Sequence, residues 1–518
     1  MPEAGRARSR RVRAVILALA LAALACQALQ PDSPTPVQPN YHPPQPITAT
    51  PAPGPTATIT PDTSVSIVGS TTPPGPPPTD TPAVPPTQAA PAGANYQAQS
   101  GDTLLALAQR FRVGLDAVLQ ANPGLPQNQA IAPGQWLTIP AGAALKNTFS
   151  TSLLPDSAVV LAPSAQGFDA QGFIQSKPGF LATYSEVVTT TEPAWTAGQI
   201  VADYAQRYSI NPRLLLALLE LQSQALSNPN PGPLLHDHPL DVIGPDMQSG
   251  LSHQLGWVTN QLNYGFYGWQ DGSVLTFGLA DGVVRAGDGR LNAGTFAVAR
   301  VLGLLYKSSD FEQVTGPQGL AAVYQKLFGA AALADVPLIP GGLTQPEMQL
   351  PFEPAKPWAF TGGPHPGYGT TLPWAALDFA PPALQPGCVQ SAEWDVAVHD
   401  GRVTFGSDGL LELDVGGGWA VDYLHIATLD RAPVGTVVKA GDHLGHPSCE
   451  GGEATASHLH ISRRYNGEWI AADGFAPFVL SGWTAHSSGQ AYVGTLTKGD
   501  QVIRSCSCAI ASTRLQLP

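Results

Sequence analysis

Apolar positions along the chain follow two different periods, which divide it into regions. Between residues 95 and 140, two stretches with apolar side chains every three to four positions lie between two short extended segments. Residues 193–335 keep this helical spacing over longer stretches, such as 199–208 and 213–226. From 350 to 480, apolar and polar residues alternate in short runs between turn residues, which is typical of strands. The pattern predicts a multidomain protein with a small βααβ module, a mostly α-helical middle domain, and an all-β C-terminal domain built as an antiparallel sheet or sandwich.

The N-terminal end has the composition of an export signal. Five arginines precede an apolar run of 12 residues at 14–25, which is too short to span a membrane comfortably. The run ends at Cys26 in a sequence that resembles a bacterial lipobox. This resemblance implies that Cys26 is lipidated and anchors an exported protein at the outer face of the bacterial membrane or in the cell wall. The alternative is an ordinary cleaved signal peptide with an incidental cysteine.

A spacer separates this signal from the first module. Residues 31–94 contain 20 prolines and no lysine or arginine, so they cannot bury a core and are expected to be extended. The formal net charge of −13 argues against nucleic acid as a partner. The predicted boundaries are a signal peptide at 1–25, a linker at 26–94, the βααβ module at 95–140, a linker at 141–192, the helical domain at 193–335, the all-β domain at 350–480, and a C-terminal tail or hairpin at 481–518.

The 95–140 module carries a recognisable set of motifs. Asp102 is predicted to cap its first helix. The motifs that resemble a LysM domain are Gly101-Asp102-Thr103-Leu104, Asn122 and Gly134-Gln135-x-Leu137-x-Ile139-Pro140. The resemblance implies binding of glycans that contain N-acetylglucosamine, such as peptidoglycan, with Gly101, Asp102, Thr103 and Asn122 as candidate glycan-binding residues. A small helical spacer is the alternative.

The helix predicted over 213–226 carries a carboxylate directly after an apolar run. With Tyr208-Ser209-Ile210-Asn211-Pro212 before it, this stretch resembles the start of lytic transglycosylases and related lysozyme-like domains. The resemblance implies Glu220 as a second catalytic residue, a general acid and base for glycoside chemistry. The family's Glu-Ser pair is Glu220-Leu221 here, and the alternative is that Glu220 ends a structural helix.

Seven of the twelve histidines lie between residues 350 and 480, and two of them form the motif His458-Leu459-His460. On a strand, side chains two positions apart share one face, so both imidazoles can approach the same point. A catalytic zinc needs about three protein ligands and one open position. The candidate ligands are His365, Asp378 and one or both histidines of the motif.

This histidine-rich region resembles the lysostaphin-like and LytM-like zinc endopeptidases of bacterial cell walls. The matching segments are His365, 377–380, 397–403, 423–425, 441–445 and 457–461. The resemblance implies that His365, Asp378 and His460 are zinc ligands. It also implies that His425 and His458 are a catalytic pair that does not bind the metal but deprotonates water and stabilises the oxyanion. The separation of 13 residues between His365 and Asp378 is longer than the family's usual motif and predicts a loop at the edge of the cleft.

Together these features predict an exported zinc endopeptidase that cuts peptide bonds in peptidoglycan stems or cross-links, with LysM holding it on the glycan. One alternative is an inactive wall-binding scaffold that activates another hydrolase. Another is a dual enzyme in which Glu220 also cleaves glycan. Cys388 and Cys449 flank part of the histidine-rich region and could be bridged, as could Cys506 and Cys508, although other connectivities remain open.

Overall fold

The N-terminal module has the βααβ order that its periodicity predicted. The computed structural model describes residues 93–143, 145–188, 193–244, 247–382 and 387–517, so the predicted signal peptide, Cys26 and nearly all of the proline-rich linker lie outside the described residues. Its elements are β1 (Tyr96–Gln97), α1 (Leu104–Phe111), α2 (Leu115–Ala121) and β2 (Trp136–Leu137), and β1 pairs antiparallel with β2. No helix within these described ranges is long and apolar enough to cross a bilayer.

The cap of α1 differs from the prediction. Thr103 is the N-cap, and its side chain accepts a hydrogen bond from the backbone N–H of Ala106. Asp102 is 2% exposed and is held inside the module instead. Threonine is also a common N-cap residue, because its hydroxyl oxygen can accept the same bond.

The middle region is mainly helical, and its helices begin at ordinary capping signals. Thr196 and Gln199 form a reciprocal capping box, and Asn211 caps a helix whose first residue is Pro212. The helices are α3 (Ala170–Gln175), α4 (Ala197–Tyr208), α5 (Pro212–Ser223), α6 (Pro233–Asp237), α7 (Leu251–Gln270), α8 (Ala293–Leu305), α9 (Ser308–Val314) and α10 (Leu320–Phe328). Short strands accompany them: β3 (Thr148–Phe149), β4 (Ser185–Glu186), β5 (Trp195–Thr196), β6 (Thr276–Gly278) and β7 (Val284–Gly287).

The helical core begins earlier in the chain than the sequence predicted. Residues 141–192 were expected to be a linker, but β3 pairs parallel with β7, and Phe149, Val160 and Leu181 lie in the same buried cluster as α4, α5, α7 and α8. Turns and bends at 163–167 and 176–179, rich in serine, glycine and proline, separate short buried segments. Composition alone does not separate such turns from a linker.

The C-terminal region is built from antiparallel strands, as predicted. The strands are β8 (Trp358–Pro366), β9 (Trp374–Ala380), β10 (Asp395–Val396), β11 (Gly401–Ser407), β12 (Leu410–Gly416), β13 (Trp419–Leu424), β14 (Val437–Val438), β15 (His443–Gly445), β16 (Leu459–Tyr465), β17 (Glu468–Trp469), β18 (Val479–Leu480), β19 (Trp483–Gln490), β20 (Val493–Lys498), β21 (Gln501–Arg504) and β22 (Arg514–Leu515). The main sheet has the order β14-β11-β12-β13-β16-β9-β8-β22, with β17 beside β16. A second sheet has the order β18-β19-β20-β21.

Two disulfides lie in this part of the chain. One joins Cys388 to Cys449, and the other joins Cys506 to Cys508. The first bridge ties the segment after β9 to the segment after β15. These are two of the connectivities that the sequence left open.

The helical region and the sheet share buried contacts around β17. Trp469 belongs to the helical core cluster, and its backbone N–H donates a hydrogen bond to the hydroxyl oxygen of Tyr267. Glu468 is 1% exposed, and Gln270 donates to one of its carboxylate oxygens at 2.8 Å while the other oxygen has no partner. Burial, with repulsion from Asp156, raises the pKa of Glu468 to about 8 despite the hydrogen bond from Gln270.

This buried carboxyl makes stability depend on pH. The pKa of an unfolded glutamate is ~4.3. Between about pH 4.3 and pH 8 the folded chain therefore binds the proton more tightly than the unfolded chain does. The free energy of unfolding falls as the pH rises through this range. We expect Glu468→Gln to raise the melting temperature by several degrees at pH 8 and by much less at pH 5. Calorimetry at both values checks this, with the exposed Glu347→Gln as the control. An equal effect at both values would contradict the shifted titration.

Candidate metal centre

Three adjacent strands bring the predicted ligands together. His460 lies directly opposite Asp378 in the pairing of β16 with β9, and His365 lies opposite Ala376 in the pairing of β8 with β9. Because Ala376 and Asp378 are two positions apart, all three side chains fall on the same face of the sheet. Irregular register in β8 around Gly362 and His365 shifts that strand locally.

The three side chains form a compact, buried cluster. His365 Nε2 lies 3.0 Å from His460 Nδ1 and 3.2 Å from Asp378 Oδ1, and His460 Nδ1 lies 3.3 Å from the same oxygen. All three residues are at most 7% exposed. Within the described residues this is the group of histidine, cysteine and acidic side chains whose ligand atoms converge closely enough to hold a metal ion.

Hydrogen bonds to backbone carbonyls decide which ring nitrogens face the cluster as acceptors. His365 Nδ1 contacts the carbonyl of Gly363 at 2.8 Å, and His460 Nε2 contacts that of Gly367 at 2.9 Å. A carbonyl only accepts, so those nitrogens carry the protons and the other two present lone pairs. Asp378 Oδ1 has no hydrogen-bond donor. Three acceptors therefore converge without a proton between them, which is the arrangement that a cation would satisfy.

Two further histidines stand beside this cluster. His458 Nδ1 donates to the carbonyl of Ala456 at 2.8 Å, and its Nε2 lies 3.6 Å from Asp378 Oδ1. His425 Nδ1 donates to the carbonyl of Glu450 at 2.9 Å. The two rings lie with their centroids 4.6 Å apart. In each ring a carbonyl occupies Nδ1, so Nε2 is the nitrogen that is available to exchange a proton.

The backbone and the charges around these groups are unusual. His425 has a φ of 66°, in the left-handed region that is uncommon for residues other than glycine and that often marks functional sites. Burial, with repulsion from His458 and His460, holds the pKa of His425 well below its usual value. Burial alone would raise the pKa of Asp378, but the neighbouring histidines, His365 first, outweigh it and hold that pKa well below the ordinary range. The site thus favours an ionised carboxylate and a neutral His425.

Sequence reasoning missed one residue at this site. Tyr492, at the turn between β19 and β20, stacks its ring on His365 with the centroids 4.2 Å apart. Backbone hydrogen bonds join Tyr492 to Gly363 and Pro364, so the C-terminal hairpin covers one side of the cluster. The sequence offers only an aromatic residue at a hairpin turn, with nothing to connect it to His365.

The candidate glycan-binding residues have partners inside the protein. Asp102 accepts hydrogen bonds from the Tyr96 hydroxyl and the Gln99 backbone, and it forms a buried ion pair with Arg110. Asn122 bonds the backbone of Val118 and of Thr138, so its amide ties α2 to the segment after β2. Thr103 caps α1, as described above.

The loop that contains Gly101 faces the rest of the protein. Gly101 has a φ of +75°, and a Cβ there would overlap the side chain of Gln270. Ser100 Oγ accepts hydrogen bonds from the backbone N–H groups of Leu338 and Ile339. Gln270 and the 338–339 segment therefore lie against this loop.

Glu220 lies near the end of α5, and the structure does not bring it to the histidine cluster. Its two carboxylate oxygens accept hydrogen bonds from the backbone of Leu226 and the hydroxyl of Ser227. These bonds stabilise the turn that follows the helix. Its catalytic role stays a hypothesis.

Comparison with known proteins identifies the family. The model of the LysM domain matches residues 96–140, and the model of the LasA N-terminal domain matches residues 152–339. Protease LasA of Pseudomonas aeruginosa is 30% identical over 302 residues, which is 54% of this chain and 69% of that protein. The chain belongs to the Protease LasA family. It is therefore a peptidase with a LysM domain, as the resemblance to LytM-like peptidases implied.

Other similar proteins carry metallopeptidase names. The beta-lytic metalloendopeptidase of Achromobacter lyticus is 27% identical over 185 residues, 34% of this chain and 46% of its own. Among solved structures, the M23 metalloprotease pseudoalterin from the deep sea is 22% identical, with a TM-score of 0.28, over 31% of this chain and 96% of its own. Within the Protease LasA family, the helical region corresponds to the LasA N-terminal domain, where the sequence had suggested a lysozyme-like domain.

Proposed function

We propose that this peptidase is an exported zinc endopeptidase that hydrolyses peptide bonds in peptidoglycan stems or cross-links. The observation that carries the proposal is the convergence of three potential ligand atoms, from His365, Asp378 and His460, beside two further histidines whose Nδ1 atoms are bonded to carbonyls. Family membership supplies the peptidase activity, and this geometry supports the finer assignment.

The donor set suits zinc. Two imidazole nitrogens and one carboxylate oxygen would provide three protein ligands, the number that catalytic zinc sites typically use. Bond lengths of about 2.0–2.1 Å in such a site separate the ligand atoms by roughly 3.3 Å, close to the 3.0–3.3 Å observed here. Zinc bound by these residues would supply Lewis-acid chemistry, acidifying water and polarising a substrate carbonyl.

His425 and His458 provide the proton chemistry in this proposal. In each ring Nδ1 is bonded to a carbonyl and Nε2 is available, so either Nε2 can take a proton from the attacking water. The protonated ring can then stabilise the oxyanion on the substrate and give the proton to the leaving amine nitrogen. The pKa of His425, held low by burial, keeps that ring neutral and ready to accept at neutral pH.

The LysM domain supports peptidoglycan as the substrate. A glycan-binding module on the same chain raises the local concentration of stem peptides at the peptidase site. Export, and lipid anchoring through Cys26, complete the proposal, and both depend on the N-terminal residues outside the described ranges.

Digestion of purified peptidoglycan tests the function. We expect the zinc-loaded protein to release new peptide amine ends, detected by mass spectrometry. Removing the metal with a chelator should stop the release, and adding zinc back should restore it. New sugar ends that form without zinc would place the chemistry at Glu220. Binding to the polymer with no cleavage would favour the scaffold hypothesis.

A further inference from the structure

We propose that Arg207, in the last turn of α4, is a positioning residue. It lies outside the peptidase sheet and fixes the loops that orient the rings of His425 and His460. The inference rests on the proposed function, since it assigns a role toward those two histidines. Its basis is that one side chain of the helical region donates to the backbone beside the carbonyl that binds His425, and lies over the ring of the tyrosine that follows the carbonyl that binds His460.

An ion pair within α4 fixes the orientation of the Arg207 guanidinium. Arg207 is 4% exposed, and its Nε donates to Asp203 at 2.6 Å, one helical turn earlier. The other oxygen of Asp203 accepts a hydrogen bond from the hydroxyl of Ser407, at the end of β11. The buried pair therefore has one defined orientation against the sheet.

The first of these loops contains the carbonyl that binds the ring of His425. Arg207 Nη1 donates to the carbonyl of Gly451 at 3.1 Å, and Nη2 donates to the carbonyl of Asp408 at 2.9 Å. The residue before Gly451 is Glu450, whose carbonyl accepts the proton of His425 Nδ1. Arg207 thus fixes the peptide next to the one that selects the tautomer of His425.

The second of these loops contains the carbonyl that binds the ring of His460. The guanidinium carbon of Arg207 lies 5.6 Å from the ring centre of Tyr368, and the Tyr368 hydroxyl donates to the same Gly451 carbonyl at 3.1 Å. The residue before Tyr368 is Gly367, whose carbonyl accepts the proton of His460 Nε2. This is the loop between His365 and Asp378 that the sequence predicted at the cleft edge.

A hydrogen-bond partner of a metal ligand or general base fixes the tautomer and the orientation of its ring. Loss of such a partner typically lowers metal affinity or activity about 10–100-fold. The two carbonyls belong to different loops, and a loop carbonyl moves with its backbone. Arg207 connects the two loops through its contacts with Gly451 and Tyr368. We therefore expect the helical region to contribute to peptidase activity.

The test compares Arg207→Met with Arg213→Met in the full-length protein. Arg213 is a matched control because it also donates to a carbonyl, that of Ser164, and lies over a ring, Phe168, but stays within the helical region. We expect Arg207→Met to lower kcat and zinc affinity each by about 10–100-fold with KM nearly unchanged. We expect Arg213→Met to change none of the three. Nitrogen-15 NMR of labelled histidines should show single tautomers for His425 and His460 in the wild type and mixtures in Arg207→Met.

A folded Arg207→Met variant that keeps its kcat, zinc affinity and histidine tautomers would overturn the inference. If this variant fails to fold, Tyr368→Phe replaces it, since it keeps the ring and removes one donor to Gly451; we expect a loss of kcat of about 2–10-fold, the effect of one hydrogen bond. Unchanged kcat in Tyr368→Phe would then overturn the inference. A wild-type protein that neither binds zinc nor cleaves would instead overturn the proposed function.

Discussion

Replacing His460 with alanine is expected to abolish zinc binding and to lower peptidase activity by about 10³-fold or more. His460 supplies one of the three converging candidate ligand atoms, and the two that remain, from His365 and Asp378, are fewer than a catalytic zinc needs. Metal content per chain after dialysis, measured by mass spectrometry, gives the first readout. Release of peptide amine ends from peptidoglycan gives the second.

His399→Ala is the control for this variant. His399 lies at a turn, where its Nδ1 contacts the carbonyl of Asp400, and it takes no part in the cluster. It should keep full zinc content and full activity. A His460→Ala protein that still holds one zinc per chain and cleaves at the wild-type rate would show that the cluster of His365, Asp378 and His460 is not the metal site.

Replacing Asp102 with alanine is expected to destabilise the LysM domain by about 3–5 kcal/mol, because it leaves Arg110 buried without its counter-charge. Arg110 is 3% exposed and lies over the ring of Trp269, so its guanidinium has little access to solvent. Hydrogen exchange of the amides in α1, together with the melting temperature, measures the loss. Sedimentation with insoluble peptidoglycan measures any change in glycan binding.

Asp116→Ala tests the same module with an exposed aspartate, and little change in stability is expected. The two measurements on Asp102→Ala separate the roles of this residue. If stability falls and glycan binding falls with it, Asp102 acts through the fold. Unchanged hydrogen exchange with a specific loss of glycan binding would mean that Asp102 is a direct glycan contact, as the LysM resemblance implied.

Features that depend on the local spacing of residues could be predicted from the sequence alone. The βααβ order of the LysM module follows from two short helical periods between extended segments, and the structure has it with the predicted second helix at Leu115–Ala121. The motif His458-Leu459-His460 placed two imidazoles on one face because strand side chains alternate, and both lie beside Asp378. Family motifs also brought His365 and His425 into the candidate site, although their positions relative to the motif depend on pairing between distant strands.

Only the tertiary structure decided the contacts that no local period encodes. Tyr492 reaches His365 across more than a hundred residues of chain, and Arg207 reaches Gly451 from a different region of the protein. The buried ion pair between Asp102 and Arg110, and the inclusion of residues 148–188 in the helical core, belong to the same class. The sequence determined which segments become helices and strands and which side chains could carry the chemistry, since both depend on neighbours along the chain. Tertiary packing decided which of those side chains meet and which carbonyls hold them, because burial and hydrogen bonding depend on neighbours in space.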